Sequence, residues 1–109
     1  MRKDDIIEIT KAISGKEIRL TFKQWFHVVE SHDYMAGNMS HILETVNSPD
    51  YIVRGSKDEF IALRHYSKTS LGEKYCVAIY KENGDGFIIT AFFTSKPETI
   101  RKRGVIWQK

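Results

Sequence analysis

"KYCVAIYKENGDGFIITAFFT", residues 74–94, sets two runs of β-branched and aromatic residues either side of Asn83-Gly84. Asn-Gly supplies the positive backbone φ angles that tight hairpin turns demand, so the segment predicts an antiparallel hairpin. With a two-residue loop, Tyr80 opposes Phe87, Ala78 opposes Ile89 and Tyr75 opposes Phe92. One face then carries Cys76, Ala78, Tyr80, Phe87, Ile89, Ala91 and Phe93, whose small central residues suit close packing of helices. The other carries Tyr75, Val77, Ile79, Ile88, Thr90, Phe92 and Thr94. Any even loop length preserves this division, whereas an odd loop with a bulge breaks it.

Working outward, "YIVRG" and "EFIALRHY" (51–55 and 59–66) have the same strand character, and "VIW" (105–107) predicts a further edge strand. The chain before Asp50 reads differently. Ile6, Ile9 and Ile13 recur at helical spacing and Gly15 follows as a stop, which predicts a first helix. "KEIRLT" (16–21) alternates as a short strand with Ile18 and Leu20 on one side. Thr21 and Gln24 form a capping box opening a helix with Phe22, Trp25, Phe26 and Val29 on its core stripe. Met39, Ile42, Leu43 and Val46 predict another helix, ended by Ser48-Pro49. The expectation is an α+β fold: N-terminal helices packed on one face of an antiparallel sheet of four or more strands, in a single domain over 1–109.

Composition narrows the class. Among 109 residues, 41% are hydrophobic and 28% charged, as in ordinary globular proteins. No window approaches the ~18 apolar residues of a membrane span, and Asp4, Asp5 and Glu8 interrupt any signal-peptide core. A cytoplasmic location with no membrane partner is the default expectation. The net charge of +3 is compatible with a polyanionic partner. A lone cysteine, Cys76, excludes an internal disulfide and a cysteine zinc cluster. The histidines His27, His32, His41 and His65 have no compact ligand spacing, so neither metal nor cofactor is expected.

The stretch "HVVESHDYM" (27–35) holds two histidines, whose ordinary pKa of roughly 6.5 suits proton transfer near neutrality. On a continuous helix His27 and His32 lie about 140° apart, so they cannot flank one phosphate. His32, at the helix end, is the better candidate, and His27 reads equally as a surface residue. On the sheet, Tyr75, Thr90 and Thr94 share the face opposite the helices, where a half-solvated surface is the plain alternative. Arg54 and Arg64 lie on strands as possible phosphate contacts or simple ladder charges. Lys96, Arg101, Lys102 and Arg103 form a basic stretch that could contact phosphates. Cys76, on the packed face, is not expected to be a nucleophile.

Several blocks together resemble the phage-associated barnase–EndoU–colicin–RelE-like (PBECR-type) nuclease family. They are Leu20-Thr21 with Trp25, His27, Val28, His32 and Met35; Glu44, Thr45, Pro49, Asp50 and Ile52; Thr90-Ala91-Phe92; and Gly104, Ile106 and Trp107. They span about residues 17–109. The resemblance implies an RNase-toxin-like fold and metal-independent endoribonuclease activity by acid–base transesterification. Of the candidate catalytic residues, His32, His27 and Thr90 fall in these blocks, and Tyr75 and Arg64 join them from the strand reading, with Arg54, Thr94 and Lys102 as candidates for binding substrate. RNA would be the partner, with an antitoxin or immunity protein as a further one and a mobile element as the source. Where the family has Arg-His-Pro-Glu, this chain has Ser31-His32-Asp33-Tyr34. That departure leaves a second expectation open: an inactive member of the same fold that binds nucleic acid, protein or a small ligand.

Overall fold

The computed structural model describes residues 2–109 as a seven-stranded mixed sheet with three α-helices. The strands are β1 (Ile6–Lys11), β2 (Glu17–Thr21), β3 (Tyr51–Arg54), β4 (Glu59–Thr69), β5 (Gly72–Lys81), β6 (Phe87–Thr94) and β7 (Val105–Gln108). The helices are α1 (Phe22–Ser31), α2 (Met39–Asn47) and α3 (Pro97–Arg101). Strand order is β1-β2-β6-β5-β4-β3-β7, antiparallel throughout except where β2 runs parallel to β6.

The first helix expected from the sequence is a strand. Ile6–Lys11 pairs antiparallel with β2, and Gly15 takes φ +89° in the hairpin between them. The helical spacing of Ile6, Ile9 and Ile13 marks no buried stripe, since these residues are 49%, 49% and 43% exposed. Ile7 and Ala12 face the core instead. In so β-branched a segment, pairing with β2 outweighs an accidental three-residue period.

α1 opens as expected: the Thr21 hydroxyl accepts the Gln24 N–H at 3.3 Å. Its core-facing side differs. Val28 is fully buried, Trp25 packs against the core, and Phe26 is 54% exposed. The docked face is rotated by about 60° from the expected stripe. The apolar arc of this helix is wider than the surface it covers, and periodicity alone does not choose which part docks. α2 buries Ile42, Thr45 and Val46. Together α1 and α2 cover one sheet face, with Leu20, Cys76, Ala78, Tyr80, Ile88 and Ala91 beneath them. On the opposite face Val53, Ile61, Leu63 and Val77 form a smaller cluster against which Ile100 of α3 packs.

The decisive hairpin is longer than two residues. Its last pair is Lys81 with Phe87, leaving residues 82–86 in the loop. Tyr75 faces Thr94 and Ile79 faces Thr90, but Tyr80 faces Ile88, so Ile89 is an inserted bulge residue. Ile88, rather than Phe87 or Ile89, therefore joins Tyr80 on the helix side. Away from the bulge the face assignment stands.

Gly86 belongs to this odd loop for a steric reason. A Cβ there would lie 2.6 Å from the Glu17 carbonyl oxygen and 2.7 Å from Ile18 Cδ1. The Gly86 carbonyl also accepts the Arg19 N–H at 2.9 Å, beside the Arg19–Phe87 pair that joins β2 to β6. Gly86→Ala should force these strands apart and cost about 1–3 kcal/mol. A urea midpoint equal to that of the parent would refute the close approach.

Candidate functional site

β4 outruns its neighbour. Pairing with β3 ends at Tyr51–Leu63, whereas β4 continues with β5 through His65–Tyr75 and Tyr66–Lys74. Beyond Leu63 the β3-side edge of β4 has backbone donors to satisfy. The Asp50 carboxylate supplies an acceptor, taking the His65 N–H at 2.7 Å. This fixes the His65 backbone at the rim of the sheet face that α1 and α2 leave uncovered.

His65 Nε2 lies 2.6 Å from Glu73 Oε2 on β5. A carboxylate only accepts, so the neutral imidazole donates from Nε2 and leaves Nδ1 as its basic nitrogen. The imidazole sits 5.2 Å from the Tyr75 ring, which stacks on Tyr51 at 6.2 Å and 17°. The two phenol oxygens are 3.3 Å apart. This hydrogen bond, followed by desolvation, pushes the Tyr75 phenol up to about 12, so it stays protonated near neutrality. The Arg101 guanidinium carbon lies 4.5 Å from the centre of the Tyr51 ring, a cation–π contact that brings α3 over the end of the stack.

These groups border a cleft of about 500 Å³ lined by His65, Glu73, Lys74, Tyr75, Thr94 and Ser95, with buried Pro97 as part of its wall. Lys74 Nζ donates to Ser95 Oγ at 2.5 Å, and the Thr94 hydroxyl accepts the Lys96 N–H at 3.1 Å. The cleft thus offers a carboxylate-held imidazole, a protonated phenol and two hydroxyls, with cations at its rim. That set can move a proton and hold an anionic group (the requirements of phosphoryl transesterification). Among the described residues, no group of three or more His, Cys, Asp or Glu converges as a metal site.

Of the residues singled out from sequence, only Tyr75 and Thr94 line this cleft. Thr90 shares their face but opposes Ile79, four residues along β5 from Tyr75, or about 13 Å. Arg64 opposes Cys76 on the helix-covered side, where it donates to the Ser48 carbonyl at 2.6 Å and faces Glu44 at 3.5 Å. Arg54 follows the register of Ile52 and Phe60 onto that same side. Lys102 is exposed just past α3, and Arg101 is the basic residue that reaches the aromatic stack. His27 points outward from α1, 3.8 Å from Glu30, beside a separate groove with Lys3 and Phe26. His32 reaches the β6 edge, with its ring 5.5 Å from Phe92. Cys76 is buried, and desolvation pushes its thiol up to about 12, which keeps it protonated.

The missed residues are His65, Glu73 and Tyr51; Arg101 was read only as part of a basic stretch. A second turn signal, Ser70-Leu71-Gly72, carried the information for the first two. Registering that hairpin sets His65 against Tyr75 with Glu73 diagonal to it.

No family model, curated protein or solved structure matches this chain. No helix among the described residues is long and apolar enough to cross a membrane.

Proposed function

We propose that the chain is a small metal-independent ribonuclease-like domain and that its cleft at His65 is the site of cleavage. The observation that carries this reading is the convergence of the Glu73-bound imidazole with the Tyr75 phenol, whose stacking partner Tyr51 lies under Arg101. In this scheme His65 Nδ1 takes the proton of a ribose 2′-hydroxyl, whose oxygen attacks the adjacent phosphorus. Tyr75 donates toward the leaving 5′-oxygen, and Arg101 and Lys74 balance charge on the phosphorane. Glu73 holds the imidazole and stabilises its protonated form. The products are a 2′,3′-cyclic phosphate and a 5′-hydroxyl. The block resemblance to the PBECR-type nucleases supports the same reading. With it comes the proposal of an RNase-toxin-like effector of a mobile element, acting in the cytoplasm and held by an immunity protein.

A second reading is a non-catalytic RNA-binding module of the same fold. It is favoured by the single imidazole lining the cleft and by the 70% exposure of the Glu73 side chain. Incubating the pure protein with mixed-sequence RNA in EDTA separates the two. The nuclease reading expects fragments ending in cyclic phosphate. RNA that stays intact while bound leaves the binding module as the function.

A further inference from the structure

His32 has no place in the cleavage scheme, yet it is not a free surface residue. At the end of α1 its Nδ1 lies 3.4 Å from the Tyr34 hydroxyl, which accepts the Phe93 N–H at 3.2 Å. Tyr34 is fixed in turn by stacking on Phe93 at 5.5 Å. A core-anchored phenol thus sets the orientation of the imidazole at the β6 edge. The ring lies 5.5 Å from Phe92, tilted by 34°. Among the described residues its Nε2 has no hydrogen-bond partner.

Phe92 is on the cleft side of the sheet. It opposes Val77 and packs with the same small cluster as Tyr75. Thr94, which lines the cleft, is two residues along the same strand and the same face, about 7 Å away. The two half-buried rings form a shelf next to the cleft, where β6 runs on past its pairing with β2. Aromatic platforms beside a cationic groove bind successive bases of single strands, because every base has a π-face to stack.

We propose that the His32–Phe92 shelf is a base-stacking subsite for single-stranded RNA, holding the nucleotide next to the one seated at His65. This rests on the reading of the His65 cleft as the place where the backbone is cut. Such a site selects unpaired over double-stranded RNA, whose bases are stacked on one another. It also assigns His32 to substrate positioning and away from proton transfer.

The test uses a 2′-O-methyl hexauridylate, which cannot be cleaved, and uridine 3′-monophosphate as a cleft-only probe. Phe92→Ala should weaken hexamer binding about 5- to 150-fold and leave mononucleotide binding unchanged. His32→Ala should also weaken the hexamer selectively, and thermal melts of both variants matching the parent guard against a folding defect. Phe92→Trp should retain binding. Equal loss for both probes, or no loss in either variant, overturns the subsite. A wild type that cleaves RNA while both variants bind the hexamer normally overturns the shelf alone. A wild type that neither binds nor cleaves overturns the ribonuclease reading with it.

Discussion

If the cleft cleaves RNA as proposed, His65→Ala should lower the rate by about 10²–10⁴-fold, the usual contribution of a positioned acid–base group. The loss falls on turnover, because the substituted ring makes no contact that the fold requires. Its side chain is 38% exposed, and the backbone contact to Asp50 survives the substitution. Thermal melting should therefore move little. Glu73→Gln keeps a hydrogen bond to the ring but no longer stabilises its cation, so it should give a smaller loss in the same direction. His27→Ala is the control: on the outward side of α1 it should leave turnover within about twofold, in line with ordinary surface substitutions. If His65→Ala cleaves at the parent rate while His27→Ala or His32→Ala abolishes turnover, the cleft assigned here is not the active site.

Stability should collapse in alkali. Four groups are raised above their ordinary values: Cys76 by desolvation, Tyr80 and Tyr66 chiefly by desolvation, and Tyr75 first by its bond to Tyr51. In each, the native state holds a proton that the unfolded chain gives up at lower pH. The unfolded state then binds fewer protons, so stability falls as pH rises, beginning near 9 with Cys76 and steepening above 10 as the tyrosines join. Fully buried Cys76 and nearly buried Tyr80 each remove about 1.4 kcal/mol per pH unit in that window. The part-exposed Tyr66 and Tyr75 remove less. Against a typical total of about 5–15 kcal/mol, two pH units remove a substantial share of the stability. Urea midpoints at pH 8 and pH 11 measure this. Cys76→Ala should flatten the decline between pH 9 and 10, and equal midpoints for the parent would contradict the burial argument.

Much of the fold was legible because its signals are local. The Thr21–Gln24 cap, the second helix and the strand runs depend on neighbours within a few residues. The failures arose where a distant partner decides. Ile6–Lys11 is a strand because β2 lies beside it. The loop at 82–86 places Gly86 where Glu17 and Ile18 leave no room for a Cβ, partners that no local pattern reveals. The site was less legible than the fold for the same reason. Tyr75 and Thr94 emerged from one hairpin, but His65 and Glu73 required the register of the next. Arg101 reaches Tyr51 only through the packing of α3, which no pattern in the chain announces. The histidines that caught attention were close together in sequence, whereas the one in the cleft gained its partners from β5 and from the residue preceding β3.

The parallel contact of β2 with β6 bears on how the chain assembles. β3, β4 and β5 each pair with the strand that follows, so this part of the sheet can grow by short loop closures. The β1–β2 hairpin also closes on itself. Joining the two halves brings together residues as far apart as Ser14 and Glu82, separated by 68 positions, and this closure is entropically the most demanding. By this entropic argument the joining step is expected to set the pace of folding. His65, Glu73 and Tyr75 lie within the early, locally wired half, so the cleft takes shape before the molecule is whole.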